Sequence, residues 1–142
     1  MKYAPYAEII DIKTERKEYS LLCQGKSKIY KYYSDWEEHI KGCLRGFEEP
    51  QDLYNFKRYC INSARVMEKA PDMYLGYIAL IITMYIDKAL VNLPIHFMIV
   101  LLLGVIIYSI VQNKRLAKEC HFFQDIIEII EKQESASEQK NK

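Results

Sequence analysis

His39 and Cys43 stand four residues apart, a spacing that puts both on one face of a helix and offers a nitrogen and a sulfur of the kind zinc takes. Cys120-His121 is the other place where the two residue types are neighbours, so a helical bundle that brought it to His39 and Cys43 would complete a four-ligand site. Against this, no two of the four cysteines have the C-x-x-C spacing. Cys43, Cys60 and Cys120 also fall at apolar positions of the helical patterns around them, where a free thiol behaves as a small hydrophobe. The reading is a chain with no metal centre and no cofactor. Among five glycines there is no phosphate-binding loop, and neither H-E-x-x-H nor a G-x-S-x-G elbow occurs, so no catalytic residue is assigned and the chain reads as a non-enzyme.

A second polar group lies inside the most apolar part of the chain. Asp87 and Lys88 are adjacent there, with Thr83, Asn92 and His96 nearby. An ionisable residue within a membrane span is a functional candidate, and in an assembly of several copies Asp87, Asn92, His96 and Thr83 would line the mouth of a pore. In a monomer they are interfacial residues at the end of two helices. A third group, the aromatics from Tyr30 to Trp36 with Lys26, Lys28 and Lys31 among them, has the composition of a headgroup or nucleic-acid contact. Glu15, Glu18, Asp35 and Glu37 balance it, so it reads as a half-buried strand with a solvated face, and no nucleic-acid partner is expected.

The elements that would position these groups follow from how charge is distributed. The 142 residues carry a net charge of +1 and a mean hydropathy of -0.19, as an ordinary soluble domain would. Yet between Pro71 and Gln112 only Asp72, Asp87 and Lys88 are charged. The chain is too apolar to be disordered, too poor in cysteine for a disulfide scaffold and too balanced for a basic nucleic-acid binder. Ala89–Asn113 has no formal charge over 25 residues, and a span needs roughly 20 apolar residues, so 95–112 reads as a transmembrane helix with Pro94 at its start. Met73–Ile86 is shorter, but with Ala89-Leu-Val it makes a second span over about 72–91. Asn92-Leu93-Pro94 turns between them. Lys57, Arg58, Arg65 and Lys69 precede the hairpin and Lys114, Arg115 and Lys118 follow it, against Lys88 alone near the turn, which puts both termini in the cytoplasm of a multi-pass inner (plasma) membrane protein.

Residues 1–70 then form a cytoplasmic region. Tyr19–Cys23 and Lys28–Tyr33 around Gly25 read as a small β-hairpin near residues 18–33, with Glu8–Ile12 as a third strand. Ser34-Asp-Trp-Glu37 is a capping-box pattern that opens a helix over 35–47, and Leu53, Phe56, Cys60, Ala64 and Met67 mark another over 51–70, ended by Pro71. After the hairpin, Leu116, Cys120, Phe123, Ile127 and Ile130 form a heptad seam on a helix over 113–132, to be covered by the 51–70 helix or by further copies of the chain. Residues 133–142 read as a disordered tail. The expected fold is therefore an all-α membrane protein: a two-helix transmembrane hairpin extended by cytoplasmic amphipathic helices, apart from that one β-hairpin.

In layout, with a cytoplasmic helical N-terminal part, two membrane helices and a trailing helix, the chain resembles short bacterial membrane proteins such as the SMODS and SLOG-associating 2TM effectors of antiphage systems, and membrane immunity proteins. The likeness is one of layout, carried by no motif. It implies either of two functions. One is a bacterial membrane-anchored interaction or defence module whose partners are the lipid bilayer and an unidentified cytoplasmic protein. The other is a homo-oligomeric pore-forming or membrane-perturbing effector.

Overall fold

The computed structural model describes residues 9–86 and 95–140. It is all-helical: α1 spans Ile12–Leu22, α2 Tyr33–Leu44, α3 Pro50–Ile86 and α4 Ile95–Lys140, with no strand among the described residues. The chain divides into two compact units. Unit 1 comprises residues 1–64 and 119–142, and unit 2 comprises 65–118, so α3 and α4 each run from one unit into the other.

The β-hairpin expected near residues 18–33 is absent, and the local reason is visible at both ends of α1. Asp11 caps the helix: its Oδ1 accepts from the amides of Lys13 (3.1 Å) and Thr14 (3.3 Å), and its Oδ2 from the Thr14 hydroxyl (2.7 Å). Those bonds hold the Asp11 carboxyl below its ordinary range. Glu15 and Tyr19, buried, and Ile12 and Leu22, half-buried, recur at helical spacing, so the supposed first strand Tyr19–Cys23 is the last turn of α1. The amide of Gly25 bonds the Leu22 carbonyl (2.9 Å) and that of Lys26 the Leu21 carbonyl (2.8 Å), a Schellman closure that needs the left-handed φ of 67° which Gly25 supplies.

α2 begins two residues before the expected 35 and ends at Leu44. The Asp35 carboxylate, rather than the Ser34 hydroxyl, organises its start, accepting from the Tyr32 amide at 3.0 Å. Pro50 takes the first position of α3, where its missing N–H costs nothing. The break expected at Pro71 does not occur. An interior proline removes one amide donor from the ladder, and the bonds on either side carry the helix onward to Ile86. In the same way no boundary falls near 113, and the tail read as disordered from 133 continues α4 to Lys140.

In unit 1 the four helices close on one core. Trp36, Ile40, Phe56, Cys60, Phe122, Ile126 and Ile130 have no exposed surface. Tyr19 of α1, Trp36 of α2 and Phe122 of α4 form an aromatic triangle with ring centroids 4.8 Å, 5.4 Å and 6.0 Å apart. The α3–α4 contact runs through Tyr59 and Phe123 (6.0 Å) and through the Cys120 thiol, which points to the Ala64 carbonyl at 3.7 Å. Around this core, Arg16–Glu119 (3.1 Å) and Lys57–Glu134 (2.7 Å) tie α4 to α1 and α3, and the Gln133 side chain donates to the Lys41 carbonyl (3.3 Å).

Unit 2 holds the remainder of α3 and α4, and its side chains are arranged the opposite way. Val100 (67%), Leu103 (52%), Ile107 (61%), Ile110 (51%) and Val111 (59%) are exposed on α4, as are Tyr77, Leu80, Ile82 and Met84 on α3. Each helix has one better-shielded stripe: Ile78 and Ile81 on α3, and Leu102, Val105, Ile106, Ser109, Gln112 and Asn113 on α4.

Candidate functional site

Two places bear on function: the polar cluster between α1 and α2, and the apolar stretches of α3 and α4. The cluster is built by a buried carboxylate. Glu15 sits on the inner face of α1, where His39 Nε2 of α2 approaches its Oε1 at 3.2 Å and the Tyr30 hydroxyl donates to it at 3.3 Å. Cys43 Sγ lies 3.6 Å from the same His39 nitrogen. A thiol, an imidazole and a carboxylate in sequence suggest a nucleophile, but a histidine that activates a thiol uses one ring nitrogen for the thiol and the other for the carboxylate. Here a single nitrogen faces both. Burial and then the Glu15 charge push the Cys43 thiol above its ordinary value, away from the reactive thiolate. Burial and the same carboxylate raise the Tyr30 hydroxyl to about 12. The cluster is a latch between two helices.

Of the four residues weighed above as metal ligands, one pair is brought together. His39 and Cys43 share a face and are close, but Cys120 is buried against α3 and His121 is exposed. Among the described residues no three His, Cys, Asp or Glu side chains group to hold a metal ion.

Of the heptad seam, Cys120, Phe123 and Ile130 are buried and Leu116 and Ile127 half-buried, with Leu116 in unit 2 and the others in unit 1. Within unit 1 this seam meets α3. The sequence reading missed a second seam beside it, Phe122, Ile126 and Ile129, which is also buried and whose Phe122 meets α1 and α2. The signal was present, since the two seams together make the wide apolar face of a helix packed on several neighbours, wider than a coiled-coil stripe. Asp125 was missed as well: it accepts a 2.6 Å bond from the Tyr19 hydroxyl, which burial and then that carboxylate push upward.

Of the polar residues expected at the hairpin, Asp87, Lys88 and Asn92 lie outside the described residues. His96 falls in the first turn of α4. Thr83 is exposed on α3, and its hydroxyl donates to the Ala79 carbonyl of its own helix at 2.9 Å. Ser109, a buried polar residue of unit 2, does the same with Val105 at 2.8 Å. Both hydroxyls are thereby satisfied without water or a neighbouring helix, as an apolar surrounding requires.

Among the described residues one helix is long and apolar enough to cross a membrane, α4 over Ile99–Ala136, and only 6% of its apolar 18-residue window is buried. No protein-family model, no curated protein and no solved structure matches the chain.

Proposed function

We propose that this chain is a small bacterial membrane protein without catalytic activity, in which a two-helix hairpin over about 72–91 and 95–112 anchors unit 1 to the inner membrane, with both termini on the cytoplasmic side. Unit 1 is the part that meets a protein partner. The observation that carries the reading is the uncovered apolar surface of α4, where Ile99, Leu101, Leu103, Ile107 and Val111 are all exposed at positions that spread over more than half of the helix's circumference. In water a contiguous apolar surface of that kind marks an interaction site, and a helix apolar all round fits lipid better than any single partner groove. The Lys/Arg excess on both flanks supplies the orientation.

The test is extraction followed by labelling. Membranes from cells expressing the chain are washed with urea and salt, and the chain is expected to stay with the lipid; recovery in the wash would overturn the anchor. Cys23 is exposed and serves as the topology reporter. A membrane-impermeant maleimide should miss it in intact spheroplasts and reach it once detergent is added, whereas labelling without detergent reverses the orientation. Crosslinking to a closed ring of copies, together with dye leakage from liposomes, would replace the interaction module by a pore.

A further inference from the structure

The segment between α1 and α2, residues 23–32, carries Lys26, Lys28 and Lys31 and no acid; the acids that balance it in sequence flank it, and in space they are engaged elsewhere. Each of the four neighbouring acids has an internal partner: Glu15 takes His39 and Tyr30, Glu18 accepts from the Ser27 hydroxyl at 3.0 Å, Asp35 accepts from the Tyr32 amide, and Glu37 pairs with Lys41 at 2.7 Å. Lys26, Lys28 and Lys31 are all exposed, and among the described residues none has an acidic partner. The loop is also held in shape. The Ser27 oxygen accepts from the amides of Ile29 (3.3 Å) and Tyr30 (3.1 Å), and Tyr30 is buried with its hydroxyl on Glu15. With Tyr30 fixed inward, Ile29 (63% exposed) and Tyr32 (59% exposed) stand outward among the lysines, and the Lys31 ammonium lies 5.3 Å from the Tyr32 ring.

We infer that this loop is a docking surface for anionic lipid headgroups, with the three lysines meeting the phosphates and Ile29 and Tyr32 entering the interface. Charge complementarity and the residue types select that occupant: a large aliphatic side chain beside an amphipathic aromatic suits the headgroup boundary, and lysine stems bury carbon while the ammonium stays wet. A nucleic acid would want a longer basic stripe than three lysines and a run of stacking aromatics, and here Tyr30 and Trp36 are buried, leaving Tyr32 and Tyr33 exposed. The inference deepens the membrane reading and rests on it.

The test uses the full chain reconstituted in phosphatidylcholine vesicles, with and without phosphatidylglycerol. In a background with Cys23→Ser and Cys43→Ser, Ile29→Cys carries a polarity-sensitive dye; Cys60 and Cys120 are buried and do not compete. The dye is expected to shift to the blue in the anionic vesicles only, and high salt should reverse the shift. Substituting all three lysines by alanine should weaken loop contact on the order of 100-fold, from the per-lysine attraction of an anionic surface, and arginine in their place should restore it. Equal spectra in both vesicles, a shift that survives the triple alanine variant, or a shift produced by an oligonucleotide and not by vesicles would overturn the inference. Flotation separates the two readings. A chain that floats with both vesicle types but shows no shift removes the loop's role alone, and a chain that fails to float with phosphatidylcholine removes the anchor whatever the dye reports.

Discussion

Ile107 and Ile126 belong to the same helix, yet 61% of the first is exposed and none of the second. The difference is made by what surrounds each. Around Ile126, polar and charged residues such as Gln124, Glu128, Glu131 and Lys132 take the outer positions, so the apolar residues are confined to one face that α1, α2 and α3 cover. Around Ile107 every turn is apolar, and no arrangement of the described helices in unit 2 could cover it on all sides. Apolar residues take 13 of the 15 positions over 97–111 and 7 of 15 over 119–133. The amount of apolar surface and its angular spread together separate a helix buried by its own chain from one whose apolar surface that chain leaves uncovered.

The two units should therefore respond to different insults, most of all to alkali. Cys60 has no exposed surface, and burial raises its thiol from 9.0 to about 12. The Tyr30 hydroxyl rises from 10.0 to about 12, and those of Tyr19 and Tyr33 rise as well, burial leading in each case. Groups raised in the folded state keep protons that the unfolded chain would release. Their stabilising effect is complete below the ordinary values and is lost as pH climbs from about 9 towards 12. For the thiol alone the loss approaches roughly 4 kcal/mol, at about 1.4 kcal/mol per unit. The apolar stretch 97–111 has no Asp, Glu, Lys, Arg, His or Cys, and Tyr108, its one tyrosine, is exposed rather than buried in a core. Raising the pH of washed membranes should abolish the near-ultraviolet signal of Trp36 while the chain still pellets; simultaneous release would mean that the two parts share one stability.

Core truncation gives the next largest effect. Trp36→Ala empties the centre of the aromatic triangle and should cost unit 1 about 3–5 kcal/mol, read as a lower denaturant midpoint by circular dichroism. Membrane retention should not change. The reciprocal change is Leu103→Arg, which places a charge in the middle of the exposed apolar stretch. At roughly 2.5–3.5 kcal/mol per charge it should lower the membrane-bound fraction, with unit 1 melting as before. If Leu103→Arg unfolds unit 1 and leaves membrane retention intact, the stretch is a protein interface.

These contrasts were partly legible in the residues. The 25 uncharged residues of Ala89–Asn113 and the spacing of Cys120, Phe123, Ile127 and Ile130 each point to the helix that the structure contains, because a period repeated over several turns outweighs any one residue. Punctuation was less legible. Pro71 reads as a stop, but the ladder on both sides outweighs one missing donor. Tyr19–Cys23 reads as a strand by composition, yet Asp11 and Gly25, at its two flanks, cap and close a helix there. The Glu15–His39 latch was invisible for a different reason: the two residues are 24 positions apart, and only the pairing of α1 with α2 joins them.

The smallest expected effect bears on the tail, where the sequence suggested disorder and α4 instead continues to Lys140. Its early residues make two contacts that a disordered tail would lack. Lys57, whose side chain is 19% exposed, pairs with Glu134 at 2.7 Å and Glu131 at 3.5 Å, and the first of these bonds leads in raising the lysine above its ordinary value. Gln133 donates to the carbonyl of Lys41 near the end of α2. A partly exposed ion pair contributes up to about 1 kcal/mol, and the amide bond a similar amount. Ending the chain after Lys132 removes Gln133 and Glu134 and leaves Glu131, so unit 1 should lose about 1 kcal/mol. Glu134→Gln alone should lose about half of that, and added salt should shrink the second loss more than the first, since only the ion pair is screened. Identical midpoints for the truncated and full chains would show that these contacts stabilise nothing, and would place the end of the folded unit at Lys132.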